Sequence, residues 1–182
     1  MKINDTKLNR FAMLLSWTFL FSFFLSACGQ VATTNTKSTM KPSHYSRTST
    51  EKVTLTNAEW EKVLSPDLYA VARNADTERA FTGNLWDSEA KGTYYCAACG
   101  NLLFRSNQKF SSSCGWPSFF EQENKNSVVY KLDKSYGMIR TEALCGRCDA
   151  HLGHLFDDGP EPTGKRYCMN SISLEFVPDE SK

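Results

Sequence analysis

The sequence has almost no excess of charge of either sign. Its 182 residues include 21 Lys and Arg and 20 Asp and Glu, so the formal charge at pH 7 is only +1. A protein that binds nucleic acid through phosphate contacts normally carries a basic face and a high isoelectric point. The balance of charges therefore argues against nucleic acid as a partner.

The sequence also lacks an apolar run long enough to cross a bilayer. The main run, residues 11–25, has 15 residues, whereas a membrane-spanning helix needs about 20. It follows a short basic segment and ends in Leu25-Ser26-Ala27-Cys28-Gly29. This order predicts a secretory signal peptide over residues 1–27. Its end resembles a bacterial lipobox, in which the cysteine is acylated and cleavage falls just before it.

A lipid anchor at Cys28 would explain why a cysteine follows the apolar run, since several acyl chains anchor a protein stably. The alternative is an ordinary cleaved signal that leaves Cys28 as a thiol. Residues 29–50 are rich in Ser, Thr, Asn and Lys, which predicts a flexible tether over residues 28–50. We therefore expect a lipid-anchored protein of the bacterial cell envelope that faces the periplasm or the exterior.

Seven cysteines is a high and odd number for this length. Four of them form two Cys-x-x-Cys pairs, Cys96 with Cys99 and Cys145 with Cys148, and 45 residues separate the pairs. Two such turns can complete the tetrahedral sulfur shell that zinc favours, so the pairs predict one structural Zn²⁺. The alternative is one disulfide within each turn, but such disulfides would hold no distant segments together.

The other two cysteines, Cys114 and Cys168, are candidates for redox chemistry. A nucleophilic cysteine reacts as its thiolate, which nearby positive charge favours. If Cys168 lies on a strand, Arg166 and Asn170 project on its side. A second thiol can then convert a sulfenic acid into a disulfide, which is the reversible step of cysteine oxidation.

His151, His154 and Trp116 are further candidates for an active site. A histidine can provide hydrogen bonds or a proton near neutral pH. Each of these residues also has a structural interpretation, since a lone cysteine, histidine or tryptophan is often part of a core. Taken singly, none of them establishes an enzyme.

Sequence patterns predict two short helices followed by a mostly antiparallel β body. Residues 56–59 form a capping box, and Ser65-Pro66 marks a second helix start. The predicted strands lie at 93–95, 128–130, 137–144 and 171–177, between segments rich in Gly, Pro, Asn and Ser. The domain is expected to extend over residues 51–178, with residues 179–182 as a tail.

The motifs around the candidate residues follow one another in a fixed order along most of this domain. They are Cys96-x-x-Cys99, Gly115-Trp-Pro-Ser-Phe119, Cys145-x-x-Cys148-x-Ala-His151-Leu-Gly-His154, Asp158-Gly-Pro160 and Arg166-Tyr-Cys168-x-Asn170-Ser171. Together they closely resemble the methionine-R-sulfoxide reductase B family. The resemblance extends from about Val53 to Val177.

The resemblance implies a mainly β fold of the Mss4-like, or β-tent, type, with two antiparallel sheets and a structural zinc site. It implies that Cys168 attacks the sulfur of methionine-R-sulfoxide, free or in proteins, and becomes a sulfenic acid as methionine leaves. Cys114 would then form the Cys114–Cys168 disulfide, which a thioredoxin-like dithiol reduces. The expected role is repair of oxidised proteins under oxidative stress, by a monomer.

The resemblance also assigns roles to the remaining candidates. Trp116 would pack against the methyl group of the sulfoxide, for which it offers a rigid apolar wall. A histidine beside the thiolate is a sensible acid, because the sulfoxide oxygen leaves easily only when it is protonated. The residues expected to orient the substrate and handle that proton are His151, His154 and Asn170, with Arg166 supporting the thiolate.

One departure from the family lies just before Cys114. Residues 111–113 are Ser-Ser-Ser, where the family commonly has Asp-Ser-Gly. Loss of that glycine is expected to stiffen a loop that must move if Cys114 is to meet Cys168.

Two other functions stay open on the residues alone. The first is a non-catalytic zinc-ribbon binding module, for which Cys168 has no role. The second is a general thiol–disulfide oxidoreductase, although such enzymes normally keep their reactive pair within one Cys-x-x-Cys at a helix start.

Overall fold

The computed structural model describes residues 44–180. The predicted signal peptide, Cys28 and most of the predicted tether lie outside the described residues. Two helices open the described part, α1 (Asn57–Val63) and α2 (Pro66–Asn74). The strands that follow are β1 (Gly92–Cys96), β2 (Leu102–Arg105), β3 (Lys109–Phe110), β4 (Ser118–Phe119), β5 (Val128–Asp133), β6 (Arg140–Cys145), β7 (His151–Phe156), β8 (Arg166–Met169) and β9 (Leu174–Pro178).

Both helices begin where the sequence predicts. The hydroxyl of Thr56 accepts a hydrogen bond from the backbone N–H of Glu59 (3.3 Å), and the Glu59 carboxylate accepts one from the N–H of Thr56 (2.8 Å). The hydroxyl of Ser65 caps α2 by accepting a hydrogen bond from the backbone N–H of Leu68 (3.3 Å), with Pro66 as the first helical residue. Among residues 44–180, no helix has the length and apolar character needed to cross a membrane.

The strands form two antiparallel sheets, which confirms the predicted fold class. One sheet has three strands in the order β2-β1-β9, and the other has six in the order β3-β4-β8-β7-β6-β5. The core lies where aromatic side chains of both sheets meet. Phe104 of β2 stacks on Phe119 of β4 at 4.2 Å between ring centroids, and Tyr94 of β1 meets Phe119 edge-on at 4.9 Å.

The hairpin between β5 and β6 is longer than the sequence pattern predicts. Residues 135–137 form a 3-10 turn, and Tyr136 within it has a φ of 55°. The strand predicted from residue 137 therefore begins only at Arg140. Propensity alone did not reveal this turn, because a bulky residue rarely adopts a positive φ.

The last predicted strand also begins late. Residues 171–173 form a 3-10 turn before β9, although their polar and apolar residues alternate as in a strand. The backbone N–H of Ser171 donates to the carboxylate of Glu78 (2.6 Å), and the N–H of Ser173 donates to the carbonyl of Asn170 (3.1 Å). These bonds replace the sheet ladder at this point.

Residues 44–53 pack against the two Cys-x-x-Cys turns. The backbone N–H of Ser46 donates to the carbonyl of Cys99 (2.9 Å). The buried guanidinium of Arg147 donates to three backbone carbonyls, those of Ser46, Glu51 and Cys99. The contacts of the folded part therefore reach back beyond Glu51, near which the sequence placed the start of the domain.

Candidate active site

The four cysteines of the Cys-x-x-Cys motifs meet at one point. Their Sγ atoms all lie within 4.8 Å of one another, and all four side chains are buried. The Cys96–Cys148 and Cys99–Cys145 pairs have Sγ–Sγ distances of 3.8 and 3.6 Å. Four sulfurs placed tetrahedrally at about 2.3 Å from Zn²⁺ stand about 3.8 Å apart. The quartet therefore fits a structural zinc ion.

This quartet joins the two sheets. Cys96 ends β1 of the small sheet, and Cys145 ends β6 of the large one. A Zn²⁺ held by four protein sulfurs has no open position for a substrate, so it would act as a structural crosslink. The described cysteines are all free thiols, and the disulfides considered above are not formed. Any redox chemistry belongs to the other two cysteines.

Cys114 and Cys168 form a second, separate pair. Their Sγ atoms are 3.6 Å apart. Cys168 lies on β8 directly opposite Ser118 of β4, and Cys114 lies in the loop that leads into β4. The expectation that this loop must first move does not hold here, because the two sulfurs are already in contact.

Cys168 belongs to a row of residues that crosses the whole six-stranded sheet. Directly opposed residues of antiparallel strands project from the same face, and their Cβ atoms are about 5 Å apart. The strand register places in this row Lys131, Glu142, His154, Cys168, Ser118 and Phe110. His154 and Ser118 thus flank Cys168. Gly153 allows this approach, since a Cβ there would lie 2.0 Å from the carbonyl oxygen of Cys168.

The surroundings of the two thiols give them different acidities. Burial, followed by the effect of Cys114, raises the pKa of Cys168 to about 12, and Arg166 offsets only part of this. Burial also acts to raise the pKa of Cys114, but hydrogen bonds from Ser112 and Ser118 contribute to holding it below the ordinary value. The Ser112 Oγ lies 2.8 Å from the Cys114 Sγ. These surroundings favour ionisation of Cys114 over ionisation of Cys168.

A cavity of about 100 Å³ opens beside Cys168. Trp116 and Phe156 provide its apolar walls, and His154 lines it as well. The indole N–H of Trp116 donates to the carbonyl of Glu78 (3.1 Å), which fixes the ring. The cavity suits a small apolar group held next to a sulfur atom.

Asp133 holds His154 from the adjoining hairpin. Its Oδ2 lies 2.9 Å from the His154 Nε2 and 2.6 Å from Nη2 of Arg140. Hydrogen bonds from Ser135, followed by those from His154 and Arg140, hold the pKa of Asp133 far below its usual range. An ionised carboxylate only accepts hydrogen bonds, so the Nε2 of His154 carries a proton. The Nδ1 is then the nitrogen left for a ligand.

Glu142 holds His151 in the same manner. Its Oε1 lies 2.8 Å from the His151 Nδ1. Burial lowers the pKa of His151 despite the opposing effect of Glu142, so the ring is neutral near pH 7. The ring centroid of His151 is 5.4 Å from that of His154, and His151 lines a neighbouring cleft rather than the cavity beside Cys168.

Asn170 lines the cavity but is also bonded within the protein. Its side-chain amide donates to a backbone carbonyl of β7 (3.1 Å) and accepts from the N–H of Glu78 (3.0 Å). Glu78 also accepts from the indole of Trp116 through its carbonyl. Glu78 therefore links Asn170 and Trp116, which line two sides of the cavity.

Arg166 is fixed by a bidentate ion pair. Its Nε and Nη2 lie 2.8 Å from the two carboxylate oxygens of Asp158, and its guanidinium stands 4.4 Å from the ring centroid of Phe156. Arg166 and Cys168 are alternate residues of β8 and share a face. The positive charge lies on the side of the thiol, as the sequence predicts.

Comparisons with known proteins agree with this geometry. The SelR domain family matches residues 64–178. The curated peptide methionine sulfoxide reductase MsrB of Thiobacillus denitrificans is 56% identical over 125 residues, which are 69% of this chain and 95% of that protein. Proteins of the same name match from Herminiimonas arsenicoxydans (54% over 127 residues, 70% and 93%) and Methanosarcina barkeri (55% over 122 residues, 67% and 86%). The chain belongs to the MsrB family.

Membership of the MsrB family favours a reductase over the two alternatives, a zinc-ribbon binding module and a general thiol–disulfide oxidoreductase. Of the predicted site residues, the structure places five around the cavity or in contact with Cys168, namely Cys168, Cys114, Trp116, His154 and Asn170. His151 and Arg166 lie beside this group.

The sequence pattern did not reveal the groups that hold the side chains of the MsrB site. The carboxylates of Asp133 and Glu142 bond to its histidines, and the backbone of Glu78 bonds to its tryptophan and its asparagine. The sequence did give an indication of the two carboxylates, because Asp133 and Glu142 occur in strands where alternate residues share one face. Strand pairing was needed to show that this face is the one that carries His154.

Proposed function

We propose that this domain reduces methionine-R-sulfoxide to methionine, both free and within proteins, and so repairs oxidised proteins. One observation carries the proposal: Cys168 borders a small cavity walled by Trp116, with the Cys114 sulfur 3.6 Å away. The names of its curated relatives support the same activity. The chain is accordingly an oxidoreductase, a peptide-methionine (R)-S-oxide reductase.

In the first step, the sulfur of Cys168 attacks the sulfoxide sulfur and a sulfur–sulfur bond forms. The oxygen then bonds to the Cys168 sulfur as the new sulfur–sulfur bond and the sulfur–oxygen bond of the substrate break, which leaves a Cys168 sulfenic acid and methionine. Cys168 loses two electrons and the substrate sulfur gains them. The thiol proton of Cys168 balances this step, because the departing oxygen must be protonated.

His154 is the residue best placed to move that proton. It lies directly opposite Cys168 on the neighbouring strand, and Asp133 fixes the orientation of its ring. Its Nδ1 can donate to the sulfoxide oxygen when the ring is protonated. Trp116 packs against the methyl group of the sulfoxide, while His151 and Asn170 orient the substrate.

In the second step, the Cys114 thiolate attacks the sulfenic sulfur of Cys168. A disulfide bond forms, the sulfur–oxygen bond breaks, and the oxygen leaves as water after taking up a proton. The lowered pKa of Cys114 suits this role. A thioredoxin-like dithiol would then reduce the disulfide by exchange through a mixed disulfide.

We also propose that the mature protein is a monomeric lipoprotein of the bacterial envelope. The basic segment, the apolar run and Cys28 support this, and both redox cysteines belong to one chain. Methionines outside the cytoplasm meet oxidants first, so a tethered repair enzyme is useful there. Mass spectrometry of the mature amino terminus tests the proposal, and an unmodified Cys28 would refute it.

An assay that resolves the two sulfoxide epimers tests the activity directly. A soluble form that begins after Cys28 is given methionine-R-sulfoxide or methionine-S-sulfoxide with dithiothreitol as reductant. We expect methionine from the R epimer alone. Equal rates with both epimers, or none with either, would rule out the proposed activity.

Replacing Cys114 by serine is expected to separate the two steps. The Cys114→Ser protein should release about one equivalent of methionine and then stop with thioredoxin as reductant, because Cys168 is left as a sulfenic acid. Quenched-flow measurement of methionine shows this burst, and Ser111→Ala serves as a control in the same loop. Sustained thioredoxin-driven turnover by Cys114→Ser would mean that another thiol resolves the sulfenic acid.

A further inference from the structure

A second cleft, of about 640 Å³, adjoins the cavity beside Cys168. Both spaces are lined by the same three residues, Thr77, Arg140 and His154. The other lining residues come from the end of α2 and the loop that follows it (residues 74–76), from the β5–β6 hairpin, and from β7. The cleft is thus a continuation of the proposed reaction site.

The covalent structure of the substrate requires such a space. Two methylene groups separate the sulfur of a methionine from its Cα, so a sulfoxide held at Cys168 keeps its main chain close to the rim of the cavity. A free amino acid ends there. A polypeptide must continue over an adjoining surface, and the cleft shares its rim with the cavity.

Besides the buried Nε of Arg140, two groups in the cleft that lack partners among the described residues are suited to a polypeptide ligand. The Nε2 of His151 is buried, with the residue 3% exposed, and has no hydrogen-bond partner. Because the Glu142 carboxylate accepts from Nδ1, the Nε2 of neutral His151 is a hydrogen-bond acceptor. A peptide N–H is the complementary donor.

Tyr136 is the second group. It lines the cleft from the tip of the hairpin, is 86% exposed, and makes no ring contact or side-chain hydrogen bond among residues 44–180. Its φ of 55° shows that the turn holds an aromatic residue in a conformation that bulky side chains rarely adopt. An exposed aromatic ring beside a reaction site is suited to packing on an apolar side chain.

We propose that this cleft binds the main chain of a polypeptide that carries the oxidised methionine, with Tyr136 packing against a neighbouring apolar side chain. The inference rests on the proposed function and assigns a surface to the residues that flank the oxidised methionine. The cleft adds binding energy that free methionine sulfoxide cannot use. It should therefore lower KM for peptides and leave kcat unchanged.

The test compares KM and kcat for two substrates. One is free methionine-R-sulfoxide, and the other is a blocked pentapeptide with methionine-R-sulfoxide at its centre and phenylalanine on each side. The variant is Tyr136→Asn, since asparagine tolerates a positive φ. The control is Leu132→Thr, because Leu132 is 58% exposed on the same hairpin but alternates with the cleft-lining Lys131 and Asp133.

We expect Tyr136→Asn to raise KM for the pentapeptide roughly tenfold, as for the loss of one packed aromatic contact. Its kcat, its KM for the free sulfoxide, and both constants of Leu132→Thr should match the wild type. An unchanged pentapeptide KM in Tyr136→Asn, or an equal rise for both substrates, would overturn the inference. If the wild type reduces neither substrate, the proposed function itself fails.

Discussion

Replacing Cys168 by serine is expected to lower the rate of methionine formation from methionine-R-sulfoxide by roughly 10³-fold or more. A serine hydroxyl is a much weaker nucleophile than a cysteine thiol, and its oxygen cannot become a sulfenic acid. No other thiol among residues 44–180 takes over, because the quartet is buried and Cys114 contacts Cys168 without lining the cavity. Dithiothreitol is the reductant of choice for the measurement, since it does not depend on the native electron donor.

Two comparisons make this result specific. Cys114→Ser should still form methionine in its first turnover, so the two thiols differ in the step that they serve. Thermal unfolding and zinc content of Cys168→Ser should match the wild type, because Cys168 lies outside the quartet. Retention of full activity by Cys168→Ser would remove this cysteine from the role of nucleophile.

Replacing Cys145 by serine is expected to remove the zinc ion and much of the stability of the fold. A structural zinc site contributes several kcal/mol to folding, since its ligands are assembled only in the folded state. A loss of even about 5 kcal/mol lowers Tm by roughly 15 °C in a domain of this size. The effect should be large here because the quartet joins the two sheets.

Elemental analysis and calorimetry measure the two consequences together. The wild type and Cys168→Ser should each contain about one zinc per chain, and Cys145→Ser should contain almost none. Cys168→Ser is the matched control, since it makes the same substitution outside the quartet. If Cys145→Ser keeps the wild-type Tm, the quartet does not hold the two sheets together.

The elements set by local chemistry could be predicted from the sequence. The capping box at Thr56 and the Ser65-Pro66 start depend on residues within one helical turn, and both helices begin there. The zinc quartet was equally accessible, because two Cys-x-x-Cys turns have few other uses. The separation of Cys114 and Cys168 from that quartet followed from the same spacing.

The rest of the site depends on contacts between distant strands. Nothing local indicates that Asp133 reaches His154 or that Glu78 links Trp116 with Asn170, since these pairs are far apart in the chain. The strand predicted at residues 171–177 was partly wrong for the same reason. Its first residues bond to Glu78 instead of a neighbouring strand.

The packing of residues 44–53 against the rest of the domain could not be predicted from local sequence patterns either. Their composition is that of a tether, yet backbone groups of this segment bond to the carbonyl of Cys99 and to the guanidinium of Arg147. Hydrogen bonds to backbone atoms leave little trace in residue types. The sequence could therefore place the core of the domain but not its first contacts.

Mass mapping of the cysteines after a single turnover tests the central claim most directly. The wild-type domain is treated with one equivalent of methionine-R-sulfoxide without reductant, and its remaining thiols are then blocked and its peptides analysed. We predict one new disulfide, between Cys114 and Cys168, with Cys96, Cys99, Cys145 and Cys148 unlinked. A disulfide within that quartet, with Cys168 still a free thiol, would contradict the division of the cysteines between metal binding and catalysis.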